Sequence, residues 1–345
     1  MRVVVLLGGD SPERDVSKVS GKAVAQALKR LGHQVVAIDT AGPNAGQPLD
    51  FEARAAIVGG EPPSTALVPA SEAIHAVERL GSQAFGDIDV VFVALHGGKG
   101  EDGTVQALLE FTGIPYTGSG VLASSVAMDK EIAKRLFHDL GVPTPRGFAA
   151  DATAPLDDIA ARVARECGWP AIVKPNGQGS SVGFSILQGP GDLKAAVAAA
   201  SVYGACLLYE EFIPGREMTV AVLGDRALPV VEIVPEAGVY DYRSKYTPGT
   251  SRYEVPADIP ADVAATLQAH ALRCFNGLKC RDFARVDFRL TPENQAYCLE
   301  VNTIPGMTPT SLVPKAAKAA GIEFDAVVER LVRMAAARAQ VRSSR

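Results

Sequence analysis

Two short segments carry the side chains best suited to chemistry, Phe283-Ala284-Arg285-Val286-Asp287-Phe288 and Cys298-Leu299-Glu300-Val301-Asn302. In an extended strand alternate residues share a face, so Arg285 points with Asp287 and Glu300 with Asn302. If the two strands pair, one surface carries all four. Two carboxylates and an amide oxygen are hard donors, suited to magnesium bound alongside phosphates rather than to zinc or copper. Burying such a cluster without a cation is costly, because like charges at close range repel. A solvated strand face with an Arg–Asp pair is the other reading of the same residues.

Three further segments bear on that choice. Lys174-Pro175-Asn176-Gly177-Gln178-Gly179-Ser180-Ser181-Val182-Gly183 follows an apolar strand. Its glycines let successive N–H groups point at one anion, Ser180 and Ser181 add hydroxyl donors, and Lys174 adds a point charge. The Walker pattern G-x-x-x-x-G-K-[ST] is absent and Gly8-Gly9 is not followed by dinucleotide spacing, so a plain hairpin turn stays open for the loop. Tyr209-Glu210-Glu211-Phe212-Ile213-Pro214-Gly215-Arg216-Glu217 reads as an acidic, apolar link between two lobes. Such a link can offer backbone groups to a base edge and the Glu217 carboxylate to sugar hydroxyls, or be no more than strand, turn and strand. Tyr240-Asp241-Tyr242-Arg243-Ser244-Lys245-Tyr246 lacks helical or strand periodicity and is either a lid or a solvated loop.

The elements that must position these residues follow from patterning. Val3 to Leu7 is a short apolar strand, and Ser11-Pro12-Glu13 looks like a helix N-cap with proline at the first helical position. Helical spacing runs from Val16 to Leu31, Gly32 ends it, and Gln34 to Ile38 is a second strand. Residues 40–70 read as a variable insertion before the buried strand 90–95 and helices near 104–111 and 128–140. Helix 156–167, strand 171–174, the glycine-serine loop, another strand, helix 193–200 and strand 206–212 suit an α+β lobe. Strands 218–223, 228–235, 283–290 and 296–301, with helices 261–278 and 324–337, make a second one. The expected fold is an N-terminal open α/β domain (1–118), a central α+β lobe (119–213) and a C-terminal α+β lobe (214–345).

Composition narrows the partners. A net charge of -5, from 34 Lys+Arg against 39 Asp+Glu, offers no basic excess for a nucleic-acid backbone. Five cysteines without a C-x-x-C pair argue against a disulfide framework and a zinc site. Val3 to Leu7 is too short for a signal-peptide core, and no apolar run approaches a membrane span. A cytoplasmic protein with no membrane partner is expected.

Taken in order, these segments resemble the ATP-grasp superfamily and, within it, the D-alanine–D-alanine ligase family. The likeness begins at Leu6-Leu7-Gly8-Gly9, Glu13-Arg14-Asp15-Val16-Ser17 and Ala94-Leu95-His96-Gly97. It continues through Gly100-Glu101-Asp102-Gly103-Thr104, Met128-Asp129-Lys130 and Gly179-Ser180-Ser181-Val182-Gly183 to Arg285-Val286-Asp287, Glu300 to Thr308 and Ser311-Leu312-Val313-Pro314. The resemblance implies ATP clamped between the two lobes of an ATP-grasp fold. Lys130, Lys174, Ser180 and Ser181 would meet the phosphates, Glu210, Glu211, Phe212 and Ile213 the adenine, Glu217 the ribose and Lys245 the γ-phosphate. Asp287, Glu300 and Asn302 would hold magnesium, two ions, with manganese able to substitute.

The resemblance further implies that Glu13 holds the ammonium of a first D-alanine, with His96 nearby, while its carboxylate attacks the γ-phosphorus to form an acyl phosphate. The amine of a second D-alanine then attacks that carbonyl. Arg285 and the Gly306 N–H would steady the oxyanion, Ser311 and Lys245 would anchor the second carboxylate, and Leu312 would face its methyl group. Tyr246, Ser180 and Glu13 would form a latch closing the 240–253 loop. A homodimer serving peptidoglycan precursor synthesis is also implied.

Asn176-Gly177-Gln178 and the 40–70 insertion depart from the family pattern. In an isolated helix Glu13 would simply complement the helix dipole. The rival readings are a ligase taking D-serine or D-lactate second, a non-catalytic nucleotide-binding homologue, and a nicotinamide oxidoreductase, which only the βαβ opening suggests.

Overall fold

The run RVVVLL forms β1 (Arg2–Leu7), whose valines and leucines are buried on both faces as in a central parallel strand. β1 pairs in parallel with β2 (Gln34–Asp39) on one side and β3 (Val90–Val93) on the other. α1 (Arg14–Arg30) makes the first crossover. Because the chain then passes to the opposite side of β1, a crevice opens beyond the strands' carboxyl ends, the usual ligand position in open parallel sheets. α1 ends in a Schellman turn, with Gly32 at φ 82° and the N–H groups of Gly32 and His33 returned to the carbonyls of Lys29 and Leu28.

The computed structural model describes residues 1–41, 46–49, 87–235 and 250–343. Three starts differ from the sequence reading. α1 begins at Arg14 rather than near Ser11: residues 11–14 form a turn in which the Arg14 N–H meets the Ser11 carbonyl at 3.1 Å, while the Ser11 hydroxyl donates to the His96 carbonyl and accepts the Glu13 N–H at 3.1 Å. After α2 (Gly98–Glu101) and α3 (Thr104–Thr112), the helix expected over 128–140 is α5 (Lys130–Asp139), and it is preceded by α4 (Val121–Met128), which patterning does not indicate. Asp129 separates them, extended in backbone and capping α5 by accepting the Ile132 N–H. The strand expected over 228–235 is broken, since Pro229 cannot donate to a ladder.

The second sheet is antiparallel, in the order β4 (Gly147–Asp151), β7 (Cys206–Glu211), β5 (Ala171–Pro175), β6 (Ser185–Leu187). α6 (Leu156–Glu166) and α7 (Leu193–Ser201) share its core, through Ile159, Val163, Leu193 and Val197. The third sheet comprises β8 (Arg216–Leu223), β9 (Arg226–Ala227), β10 (Val231–Pro235), β11 (Ser251–Glu254), β12 (Phe283–Leu290) and β13 (Ala296–Asn302). Its order is β11-β10-β8-β12-β13, with β9 on β8.

One face of this third sheet packs α8 (Ala261–Gly277) together with α4 and α5. Phe137 of α5 is fully buried there, and truncating such a side chain to alanine costs about 3–5 kcal/mol. The other face shares a core with the N-terminal sheet through α9 (Leu312–Ala319) and α10 (Phe324–Ser343), joining Val5, Leu28, Leu223, Val313 and Leu331. Most of the 40–70 insertion, and Tyr240 to Tyr246 with Lys245, lie outside the described residues. Among the described residues no helix is long and apolar enough to cross a membrane.

Candidate active site

β12 and β13 pair antiparallel with Arg285 opposite Asn302 and Asp287 opposite Glu300, so the four residues share one surface. Strand alternation misses one feature. The register steps from Asp287–Glu300 to Phe288–Cys298, leaving Leu299 as the extra residue of a bulge. Cys298 and Val301 therefore enter the core, while Leu299 and Glu300 both line the cleft. Across β12, β8 sets Thr219 opposite Asp287 and Glu217 opposite Arg289. Asp287 accepts from the Thr219 hydroxyl at 2.6 Å and from two donors of the Arg285 guanidinium at 2.9 and 2.8 Å.

The second and third sheets flank a partly open cleft of the mostly apolar kind that small-molecule ligands occupy. Ile172, Ile186, Phe212, Ile213, Met218 and Leu299 give it apolar walls, and Lys130, Lys174, Ser181, Glu211, Glu217, Asp287 and Glu300 its polar groups. Asn176, which departs from the family pattern, ties the end of β5 to the start of α5. Its side chain donates to Asp129 at 2.8 Å and accepts the Glu131 N–H at 2.9 Å. That junction brings two lysines of distant sequence position to one cavity. Lys130 donates to the Gln178 carbonyl and lies 3.4 Å from Glu300.

Glu210 lines the same cleft, and its carboxylate is bridged by Lys174 at 2.6 Å and Lys134 at 2.9 Å. Burial disfavours its charge, but the two ammonium groups outweigh burial and hold its pKa down to about 2. Burial also works against Lys174, yet Glu210 and Glu300 keep its pKa above the ordinary value. Lys134 goes the other way, lowered by burial despite Glu210. The resemblance put Glu210 beside adenine; its side chain is a brace for two lysines.

Where the N-terminal crevice meets the glycine-serine loop, Ser180 donates to Glu13. Ser180 and Ser181 both adopt left-handed backbone, at φ 51° and 56°, a strained conformation of the kind kept at functional sites. A Cβ at Gly97 or Gly179 would come within 2.7 or 2.8 Å of Glu13 Oε2, so both glycines make room for that carboxylate. His96 Nδ1 donates to the Ile304 carbonyl at 2.8 Å, which leaves Nε2 to accept from Ser20 Oγ at 2.9 Å. Ser20 in turn accepts the Met307 N–H at 3.2 Å. Burial lowers the His96 pKa, and with both ring nitrogens engaged the neutral imidazole braces the 304–307 segment.

Glu101 completes this corner. It is buried and accepts the N–H groups of Gly97 at 3.0 Å and Ile304 at 3.3 Å. Burial, followed by the nearby Glu13, pushes its pKa up to about 7. Ser311, at the N-cap of α9, contacts Thr308 N and Oγ1 at 3.1 and 2.8 Å, and a Cβ at Gly306 would lie 3.1 Å from its hydroxyl. Leu312 packs into the shared core with Met307 and Val313.

Sequence reasoning passed over Ser20, Lys134, Glu101 and Arg289 as separate site residues. Two of them left a signal. Ser17 and Ser20 are polar residues on the core face of α1, and Lys134 follows Lys130 by one turn on the buried side of α5.

The arrangement sets a cleft of opposed charges, with Lys130 and Lys174 among several carboxylates, beside a Glu13 carboxylate able to hold an ammonium group. Profiles described as D-ala D-ala ligase N-terminus and D-ala D-ala ligase C-terminus match residues 2–119 and 136–333. The chain belongs to the D-alanine–D-alanine ligase family. It is 44% identical over 335 residues to the D-alanine–D-alanine ligase of Syntrophotalea carbinolica, covering 96% of this chain and 95% of that one. Identity to the Moorella thermoacetica ligase is 42% over 341 residues, covering 97% and 99%. The crystal structure of D-alanine–D-alanine ligase from Bacillus anthracis complexed with ATP superposes with a TM-score of 0.76 at 28% identity, covering 99% of each chain. The Coxiella burnetii ligase gives 0.78 at 25%, covering 100% and 96%. The fold is that of the ATP-grasp ligases of this family.

The donor set of this D-alanine–D-alanine ligase family member suits magnesium. Among the described residues no group of three or more His, Cys, Asp or Glu is arranged to hold a metal ion by itself. Asp287, Glu300 and Asn302 instead offer two carboxylates and an amide oxygen from paired strands. Magnesium commonly takes one or two carboxylates and completes its shell with water and substrate phosphates. The same set is poor in the nitrogen and sulfur donors that zinc prefers.

Proposed function

We propose how these residues divide the work of the activity that the family assigns, the ATP-dependent joining of two D-alanines into D-alanyl-D-alanine for peptidoglycan precursors. Lys130 and Lys174 hold the nucleotide phosphates, Ser181 meets them from the loop, Phe212 and Ile213 flank the adenine, and Glu217 takes the ribose hydroxyls. Asp287, Glu300 and Asn302 hold two magnesium ions, for which manganese can substitute; when bound, the ions offset phosphate charge during transfer.

Glu13 holds the ammonium of the first D-alanine. An oxygen of that substrate's carboxylate attacks the γ-phosphorus, the bond to the bridging oxygen breaks, and ADP leaves. The second D-alanine, with its carboxylate at Ser311 and the start of α9, gives one ammonium proton to solvent. Its amine then attacks the acyl carbon and inorganic phosphate leaves. Arg285, with five N–H donors of which Asp287 takes two, steadies the oxyanion together with the Gly306 N–H. His96 and Glu101 act on the substrates only through the 304–307 segment they brace.

One observation carries this division: adjacent serines of one loop serve the two halves, Ser180 bonding Glu13 while Ser181 lines the cleft. A γ-phosphate under that loop meets a carboxylate held beside Glu13. The reading extends to a latch completed by Tyr246, a contribution of Lys245 to both substrates, the three-part division at 118 and 213, a homodimer and a cytoplasmic location. ADP formation from magnesium-ATP with D-alanine, L-alanine or no amino acid, with product masses, tests it. D-alanine-dependent turnover giving D-alanyl-D-alanine is expected. Turnover without D-alanine, or preferred D-lactate incorporation at neutral pH, would contradict it.

A further inference from the structure

Arg289 belongs to no motif of the sequence reading. It stands on the same face of β12 as Arg285 and Asp287, opposite Glu217 of β8, and its side chain lines the cleft. One guanidinium nitrogen donates to Glu217 Oε1 at 3.0 Å, and Nε donates to the Ile213 carbonyl at 3.1 Å. A single planar group thus spans the link expected beside adenine and the carboxylate expected on the ribose. Lys174 is the competing cation, because Glu217 acts on its charge within the same cleft. Attraction between unlike charges is strong in so shielded a place. A Glu217 that swung to Lys174 would leave the sugar and weaken a charge meant for phosphate.

We propose that Arg289 is a positioning residue that holds Glu217 toward the nucleotide's ribose hydroxyls and so sets discrimination between ribo- and deoxyribonucleotides. This rests on the reading of Glu217 as the ribose-holding group. An ionised carboxylate has about four lone-pair sites, so the bond from Arg289 is compatible with accepting two sugar hydroxyls. A lysine at position 289 could supply charge but not the planar fork that reaches Ile213 as well.

The test compares KM and kcat for ATP, 2′-deoxyATP and 3′-deoxyATP in D-alanine-dependent ADP release, using the unmodified enzyme, Arg289→Met, Arg289→Lys and Glu217→Gln. The unmodified enzyme should favour ATP. Arg289→Met should raise KM for ATP about tenfold with kcat within about twofold, and raise the deoxynucleotide KM values far less, so that the preference collapses. Arg289→Lys should fall between. A merely structural role would raise all three KM values in parallel, and an unchanged preference in Arg289→Met would overturn the proposal. If Glu217→Gln also keeps the full preference, the ribose reading itself falls; if Glu217→Gln loses it while Arg289→Met keeps it, only the role of Arg289 falls. Should Arg289→Met prove insoluble, an unchanged preference in Arg289→Lys overturns the proposal in its place.

Discussion

Glu210 and Glu101 are both buried carboxylates, and burial works against the charge of each. Glu210 sits in the nucleotide cleft between two ammonium groups, which outweigh burial and hold its pKa down to about 2. Glu101 sits in the amino-acid corner between two backbone N–H groups, where burial and then Glu13 prevail and its pKa rises to about 7. Full charges decide the first case and dipoles fail to decide the second. The cleft is therefore built from opposed charges that a polyanion can rearrange. Apart from Glu13, the corner is built from neutral or weakly charged groups anchored to backbone, which position atoms without competing for the substrate's charges.

The largest effect on turnover should come from the residue between the two regions. Arg285 clamps Asp287 on the cleft side and acts on the charge of both His96 and Glu101 on the corner side. Arg285→Ala should lower kcat about 100- to 1000-fold with little change in KM for ATP, the loss typical of an oxyanion donor. Steady-state kinetics decides, and unchanged turnover would leave the regions without a shared reaction centre. Next is Glu210→Gln, which leaves Lys134 and Lys174 without the carboxylate between them and should cost about 3–5 kcal/mol in urea unfolding at neutral pH. The folded-state pKa of Glu210 is depressed from 4.5, so its contribution is present above 4.5 and lost as pH falls toward about 2. The difference between the unmodified enzyme and the variant should shrink over that window. A constant difference would mean that the lysines do not act through charge.

Much of the cleft was legible in the sequence because strands translate spacing into facing directly. Arg285, Asp287, Glu300 and Asn302 lie on one surface, as two alternating strands require. The bulge that turns Leu299 into the cleft was not legible, because an extra residue changes no residue type. The corner was less legible for a physical reason. His96 is fixed by a carbonyl 208 residues away and Glu101 by an amide 203 away, and backbone groups look the same at every position. The helix start at Ser11 failed similarly, since the Ser11 hydroxyl is held by the His96 carbonyl 85 residues away and the helix proper begins only at Arg14. The resemblance anticipated the Ser180–Glu13 bond, which spacing could not, and it did not indicate that Glu210 would be spent on Lys134.

Two smaller perturbations sharpen the contrast. Glu101→Gln should reverse the pH behaviour of Glu210→Gln. A folded-state pKa raised from 4.5 to about 7 contributes stability below 4.5 that is lost as pH climbs through about 7. Across that window the unmodified enzyme should lose stability relative to the glutamine variant in urea titrations at stepped pH, and parallel profiles would show that Glu101 is ionised throughout.

Ser20→Ala acts without charge. It removes the donor to His96 Nε2 and the acceptor for the Met307 N–H, both in a fully buried setting. Leaving such groups unpaired costs about 1–3 kcal/mol. Because Gly306 lies between the two anchored residues Ile304 and Met307, displacement of this segment should lower kcat about tenfold, a loss near 1.4 kcal/mol. KM for ATP should stay unchanged, since the cleft's charge network does not pass through Ser20. A variant whose ATP KM rises in step with the fall in kcat would show that the corner and the cleft move as one body, and the separation between dipole-built and charge-built regions would fail at the residue best placed to reveal it.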